Sequence, residues 1–221
     1  MSAIIILNYK TYNESTGENA VKLAKICESV AKSSGVKIAV APQIADLYRV
    51  ATAVEIPVFS QNLDVVGPGS FTGHVYSKSL CDANAAGTLL NHSEKRMTLA
   101  DIEKAVRYAR KCSLLSVVCT NSIKTSAAAS LFDPDFVAVE PPELIGTGIP
   151  VSKANPEIVS DTVEAVKNIN KDVKVLCGAG ISKGEDLKAA LELGAEGVLL
   201  ASGIIKAKDP KAALEDLVSM I

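Results

Sequence analysis

Three side chains in this sequence have the chemistry to move protons and to hold an anion, and each follows closely on an apolar run. Glu140 ends such a run in V-A-V-E-P-P-E-L-I-G-T-G, residues 137–148. His92 follows Gly87–Asn91, and Lys10 lies just beyond Ala3–Leu7 in the order Asn8-Tyr9-Lys10. A carboxylate, an imidazole and an ammonium amount to a base, an electrophile and a cation. Taken singly, Lys10 reads as a solvated loop lysine and His92 as a satisfied structural histidine. Glu140 is harder to explain that way, because an unpaired carboxylate at a buried strand end is costly. Whether the three act together depends on whether the fold brings them to one place.

The segment after Glu140 has a stiff entry and a permissive exit. Pro141 and Pro142 fix φ and donate no N–H, whereas Gly146 and Gly148 tolerate dihedrals closed to other residues. A loop hinged this way can swing as a unit, so residues 141–148 are expected to form a lid. The plainer reading is a Pro/Gly turn after a strand.

The elements that must position these groups repeat in one pattern: a short apolar run, a polar or glycine-bearing break, then an amphipathic helix. The runs are Ala3–Leu7, Lys37–Ala41, Pro57–Gln61, Gly87–Asn91, Leu114–Cys119, Phe136–Val139, Lys174–Cys177 and Gly197–Leu200. Helices are expected near Gly17–Ser33, Ile44–Val54, Ser79–Ala86 and Ser122–Ser130, and one opens after Thr98-Leu99-Ala100-Asp101, a capping signal. Asn155-Pro156-Glu157 predicts a side-chain cap followed by proline at the first helical position. Ser182-Lys183-Gly184-Glu185 caps the next helix, and Asp209-Pro210 starts a closing helix that runs to Ile221. Asn62–Lys78 is a long loop rich in Gly, Ser and Thr.

The eight units share 221 residues, roughly 28 each, near the minimum for a parallel crossover. Unbroken apolar runs are what parallel strands covered on both faces require. The pattern predicts an α/β protein, a single (β/α)8 barrel over residues 1–221, with an open doubly wound sheet as the competing arrangement. In a barrel the C-terminal strand ends share one mouth. Asn8, Lys10, Gln61, Asn91, His92 and Glu140 would then converge there, with small-residue turns Gly178-Ala179-Gly180 and Ala201-Ser202-Gly203 beside them. Such turns let backbone N–H groups approach a phosphate, with no cationic side chain within them.

Composition narrows the function classes. The chain is 48% hydrophobic and 22% charged, with a net charge of −2. That balance is wrong for a general nucleic-acid binder, which carries a basic stripe. No apolar run approaches the roughly 18 residues needed to span a bilayer, and M-S-A-I-I-I-L-N reads as a strand rather than a signal peptide. Cys27, Cys81, Cys112, Cys119 and Cys177 are odd in number and form no C-x-x-C, which fits reduced thiols in a cytoplasm. With His74 and His92 the sole histidines, a multi-histidine metal site is not expected.

Asn8–Lys10, Asn91–Glu94 (N-H-S-E), Val139–Gly148, Gln61-Asn62 and Phe71–Gly73 together resemble the triosephosphate isomerase family in its short archaeal form, over essentially the whole chain. The resemblance implies roles. Glu140 would shuttle a carbon-bound proton, and neutral His92 would polarise the carbonyl, helped by a helix N-terminus at Ser93-Glu94-Lys95. Lys10 would supply positive charge, oriented by Asn8. Ser93 and Glu94 would support them, and backbone at Ile145, Gly146, Gly180, Ala201 and Ser202 would hold the substrate phosphate. The substrate would be a small phosphosugar; neither metal nor cofactor is implied. Family members of this length tend to be homotetramers and longer ones homodimers, so self-association is expected, with 62–78 as a contact. The chain departs from many relatives at Glu143, where they carry an aromatic, and at Cys177-Gly178-Ala179-Gly180, where they carry Tyr-Gly-Gly-Ser. The hydroxyls that latch the lid in those relatives are absent from this sequence. Cys119 matches a family cysteine and reads as packing.

Two other classes compete, another phosphosugar barrel enzyme and a binding protein without turnover. A Schiff-base aldolase would want its lysine deep on a strand near the barrel centre, and a metal-dependent epimerase would need more ligands at strand ends. A phosphosugar-binding protein without turnover would need the anion site but not the base.

Overall fold

A computed structural model describes residues 3–141 and 154–221. The expected lid therefore lies outside the described residues apart from Pro141, and so do Ile145 and Gly146 within it. Eight parallel strands form one sheet: β1 Ile4–Asn8, β2 Lys37–Ala41, β3 Phe59–Ser60, β4 Gly87–Leu90, β5 Leu115–Thr120, β6 Phe136–Val139, β7 Lys174–Cys177 and β8 Gly197–Leu200. Their order is β2-β1-β8-β7-β6-β5-β4-β3, and a parallel bridge from Val40 to Val58 joins the two ends. The sheet is thus a barrel, and the open doubly wound alternative is set aside.

Between the strands run α1 Glu18–Ser34, α2 Leu47–Ala51, α3 Ser77–Asp82, α4 Leu99–Lys111, α5 Ile123–Ser130, α6 Pro156–Ile169, α7 Gly184–Glu192, α8 Ser202–Ile205 and α9 Pro210–Val218. Thr98 caps α4 by accepting from the Asp101 N–H, and Asp209 caps α9 by accepting from Lys211 and Ala212. Several expectations are corrected: α3 spans Ser77–Asp82 where Ser79–Ala86 was expected, and α9 ends at Val218 short of Ile221. The helix expected over Ile44–Val54 shrinks to α2. Its start is displaced because the Asp46 carboxylate is taken by the Gly17 N–H, and its end is loosened by Thr52 Oγ1 bonding back to the Tyr48 and Arg49 carbonyls. The strand over Pro57–Gln61 shrinks to two residues, since Pro57 donates no ladder bond. Asn155 makes no side-chain cap, so α6 starts on Pro156 alone. The N–H groups of Ser182 and Lys183 turn to the Asp186 carboxylate, so α7 is capped from inside its first turn. Helix α8 has no forerunner in the sequence reading.

Strand alternation sorts the core into two layers. Ile6, Ala39, Phe59, Leu89, Val117, Phe136, Leu176 and Leu199, one from each strand, fill the barrel interior. Their neighbours Ile5, Leu7, Val40, Val137, Val175 and Val198 face outward onto helical side chains such as Leu23, Cys27, Ala105 and Leu187. Gly87 makes room for the largest interior group: a Cβ there would lie 2.7 Å from the Phe59 ring. Moving two residues on from the interior positions Ile6, Ala138, Leu176 and Leu199 reaches Asn8, Glu140, Gly178 and Ala201 at the C-terminal rim.

Candidate active site

Asn8 and Glu140 reach the barrel mouth by alternation alone; Lys10 and His92 need a change of backbone direction. Lys10 takes φ 48°, and its N–H donates to Asn8 Oδ1 at 3.0 Å, a local turn that holds the left-handed conformation. Gln61 locks this loop from across the barrel. Its Nε2 donates to Lys10 O and Ala41 O, both at 3.0 Å, and lies 3.3 Å from Asn8 Oδ1. The Lys10 ammonium sits 3.1 Å from Glu94 Oε1.

His92 depends on Asn91, which stands at φ 57°, a conformation asparagine tolerates better than most residues. Asn91 Nδ2 donates to Cys119 O at 2.9 Å, and its Oδ1 accepts from the Met97 N–H at 2.8 Å. Arg96 Nη1 donates to the Asn91 carbonyl at 2.9 Å. So pinned, Asn91 diverts the chain and delivers His92, only 7% exposed, to the mouth. The segment after His92 is a turn closed by Lys95 N–H to His92 O at 2.8 Å, not the start of a helix as the sequence reading expected; α4 begins at Leu99. The backbone acts more directly than a dipole would. The Glu94 N–H donates to His92 Nδ1 at 3.3 Å, and Ser93 Oγ lies 3.4 Å from the same nitrogen. A backbone N–H can only donate, so Nδ1 is an acceptor and a neutral imidazole carries its proton on Nε2. That nitrogen is 3.5 Å from Glu140 Oε1.

Glu140 is 4% exposed, and its Oε2 has no hydrogen-bond partner among the described residues. Its N–H donates to Thr120 O at 2.8 Å, which extends the β5–β6 ladder by one rung. The side chain lies over Gly178, where a Cβ would come 2.4 Å from Glu140 Cγ. Cys119 is fully buried beside it. Burial first, then the Glu140 charge and a hydrogen bond to it, push the Cys119 thiol well above its ordinary value, so it stays protonated.

The two small-residue turns stand next to this group. Gly180 has φ 76°, and the first N–H groups of α8 lack acceptors within their own helix. Gly203 lets the turns nest, since a Cβ there would lie 3.0 Å from Ile181 O. Asn8, Lys10, His92, Glu140, Gly180, Ala201 and Ser202 all line one cavity. Ser93 and Glu94 stand behind it, against His92 and Lys10. Tyr12, Gly178 and Ile181 also line it. The sequence reading did not single out Tyr12 or Ile181, and it named Gly178 as a strand end and part of a small-residue turn, not as the floor beneath the carboxylate; alternation from Leu176 was the signal that could have placed Gly178 under Glu140. Among the described residues no cluster of three or more His, Cys, Asp or Glu is placed to hold a metal ion, and no helix is long and apolar enough to cross a membrane.

A parallel barrel whose C-terminal rim sets a buried carboxylate against the Nε2 edge of an imidazole, with an ammonium and backbone donors alongside, has the design of a sugar-phosphate isomerase. Sequence comparison makes the family definite. The family model for triosephosphate isomerase matches residues 3–221. The chain is 63% identical over 220 residues to the triosephosphate isomerase of Methanosarcina acetivorans, covering 100% of this chain and 99% of that one. It is 64% identical over 221 residues to that of Methanococcoides burtonii, covering 100% of each. With the protein of the same name from Methanocaldococcus jannaschii it shares 59% over 218 residues, 99% of this chain and 100% of the other. The chain belongs to the triosephosphate isomerase family, an aldose–ketose isomerase family.

Proposed function

We propose that this protein interconverts dihydroxyacetone phosphate and glyceraldehyde 3-phosphate by proton transfer through an enediolate, a step of glycolysis and gluconeogenesis. The observation that carries the reading is the pairing of a buried Glu140, one oxygen without a partner among the described residues, with the Nε2 edge of His92 at 3.5 Å inside one cavity. Glu140 takes a proton from C1 of the ketose. The electron pair left behind forms the C1–C2 double bond of the enediolate, and the oxygen at C2 gains negative charge. His92 Nε2–H donates to that oxygen and carries protons between the two oxygens, while Glu140 returns its proton to C2. The Lys10 ammonium offsets the developing charge and that of the phosphate. Gly180, Ala201 and Ser202 offer backbone N–H groups to the phosphate. Asn8 orients Lys10, and Ser93 and Glu94 hold the imidazole. With the electrophile and the counter-charge both supplied by side chains, the reaction as written requires no metal or cofactor.

The test is incorporation of deuterium from heavy water into both triose phosphates, followed by NMR. Wild-type protein should exchange and isomerise. Glu140→Gln, which keeps the shape but cannot accept the proton, should lose about 10³-fold in rate. Normal turnover by that variant would remove Glu140 from the role of base, and binding without exchange by wild-type protein would favour an inert receptor.

Residues 141–148 form the lid in this reading, supported by the family motif and its Pro–Gly punctuation. A covered site excludes water, from which an enediolate phosphate would otherwise suffer elimination. Deleting Glu143–Ile145 should therefore raise phosphate release relative to isomerisation, and an unchanged product ratio would remove the gating role. The reading places the protein in the cytoplasm, in keeping with five free thiols, and makes it a homotetramer. Phe71 in the loop 62–78, Tyr48 on α2 and Leu99 on α4 each leave more than half their surface exposed, and self-association would cover such groups. Light scattering should give about four times the 23.1 kDa chain mass; twice that mass would make it a dimer.

A further inference from the structure

The groups assigned to the anion stand on two different loops. Lys10 follows β1 and Ala201–Ser202 follow β8, strands that pair in parallel from Ile4–Gly197 to Leu7–Leu200. Beyond Leu7–Leu200 the ladder ends, and side chains must set the spacing of the loops. One side-chain contact spans that gap: Lys206 Nζ lies 4.5 Å from the centre of the Tyr12 ring. Tyr12 is half-buried and lines the cavity. Its backbone is fixed, because its carbonyl accepts from the Ser15 N–H at 3.1 Å, Ser15 Oγ at 3.2 Å and Thr16 Oγ1 at 2.8 Å. Lys206 is the residue that ends α8, its N–H donating to Ser202 O at 3.1 Å. The ring is thus anchored on the Lys10 side and the ammonium on the side of the phosphate turn.

We propose that Tyr12 and Lys206 are a positioning pair, a cation seated on an aromatic face that holds the β8 turn against the Lys10 loop so that both meet the same phosphate. The inference rests on the isomerase reading for what the cavity binds. The attraction is between the ammonium and the electron-rich ring face, so it needs the ring and the charge but not the phenol hydroxyl. Neither residue touches the reacting carbons in this arrangement. The pair acts through the two loops it joins, and its effect belongs in phosphate affinity more than in the chemical step.

The experiment measures kcat and KM with glyceraldehyde 3-phosphate and the inhibition constant of inorganic phosphate, at low ionic strength. Tyr12→Leu and Lys206→Met should each raise KM and the phosphate inhibition constant together, by about threefold to fivefold, with a smaller change in kcat. Tyr12→Phe and Lys206→Arg should stay near wild type, and the double variant Tyr12→Leu/Lys206→Met should be no worse than either single one. Lys206 is exposed, so Lys206→Met keeps the test open if Tyr12→Leu folds poorly. The proposal is overturned if both constants stay at wild-type values, if kcat alone falls, if Tyr12→Phe is as damaging as Tyr12→Leu, or if the two losses multiply. A wild-type protein that fails to isomerise would sink the functional reading, whereas an active wild type with insensitive variants sinks the clamp alone.

Discussion

Glu140 keeps its place because residue 178 has no side chain. A methyl group there would stand 2.4 Å from Glu140 Cγ, closer than real contacts allow, and tightly at 3.0 Å from Val139 O. The carboxylate would have to move, and a displacement of about 1 Å in a reacting group is worth on the order of a hundredfold in rate. Gly178→Ala should therefore lower kcat by about that factor while KM changes much less. Steady-state kinetics beside a thermal melt would check it, and a variant with normal kcat would show that the carboxylate has room to yield. The same scale shows what the sequence could reveal. Asn8 and Glu140 were legible because each lies two residues past an inward-facing apolar position, and alternation carries its own direction. His92 was legible as a type after a strand but not in its aim, which rests on Asn91 at φ 57°. Nor was its tautomer, which is set by one N–H, that of Glu94.

At the scale of elements, seven of the eight strands fall within a residue or so of their expected bounds, because buried parallel strands announce themselves as uninterrupted apolar runs. The helix ends were less legible. Asp46, Thr52 and Asp186 all spend their side chains on backbone: Thr52 and Asp186 within four residues, in competition with the helix ends, and Asp46 on Gly17, a partner that only packing brings near. Packing also sets a pH dependence where α1 covers β1. Cys27, fully buried on α1, has its thiol pushed up from 9.0 to about 12 by burial, and the Tyr9 phenol moves in the same direction for the same reason. A group whose folded value is raised favours the folded state fully below its unfolded value, and that contribution is lost as pH climbs toward the folded one. Stability should hold near neutrality and fall from about pH 9 upward, where the unfolded thiol ionises but the folded one resists. Guanidinium midpoints at pH 7.5 and 10.5 would measure the fall. Cys27→Ala should flatten it, whatever the variant costs in absolute stability; an equal slope in the variant would place the dependence elsewhere, with Tyr9 first.

For the molecule as a whole, the consequential seam is the one that closes the barrel. Strands β2 and β3 meet through the single Val40–Val58 bridge and the Val40 N–H to Pro57 O bond at 3.1 Å, whereas β1 and β2 pair over five residues. Pro57 has no N–H to give back, so the ladder is thin for a reason written in the sequence. A side chain supplies the missing rung. Gln61 Nε2 reaches across to Ala41 O at 3.0 Å, and the same nitrogen holds Lys10 O at 3.0 Å. Closure of the barrel and the placement of the cation are therefore joined in one amide. Losing those bonds should destabilise the fold by about 1–3 kcal/mol, with kcat/KM falling in parallel. Gln61→Glu should resemble Gln61→Ala, because a carboxylate of nearly the same shape cannot donate to two carbonyls. Hydrogen exchange adds the spatial signature: the Val40 amide should lose protection in both variants, while amides of β5 and β6, which pair over four residues, should keep theirs. Slow exchange at Val40 in an inactive Gln61→Ala would confine the residue to the active site, and faster exchange with full activity would confine it to the seam. A loss of both is the outcome the shared amide requires.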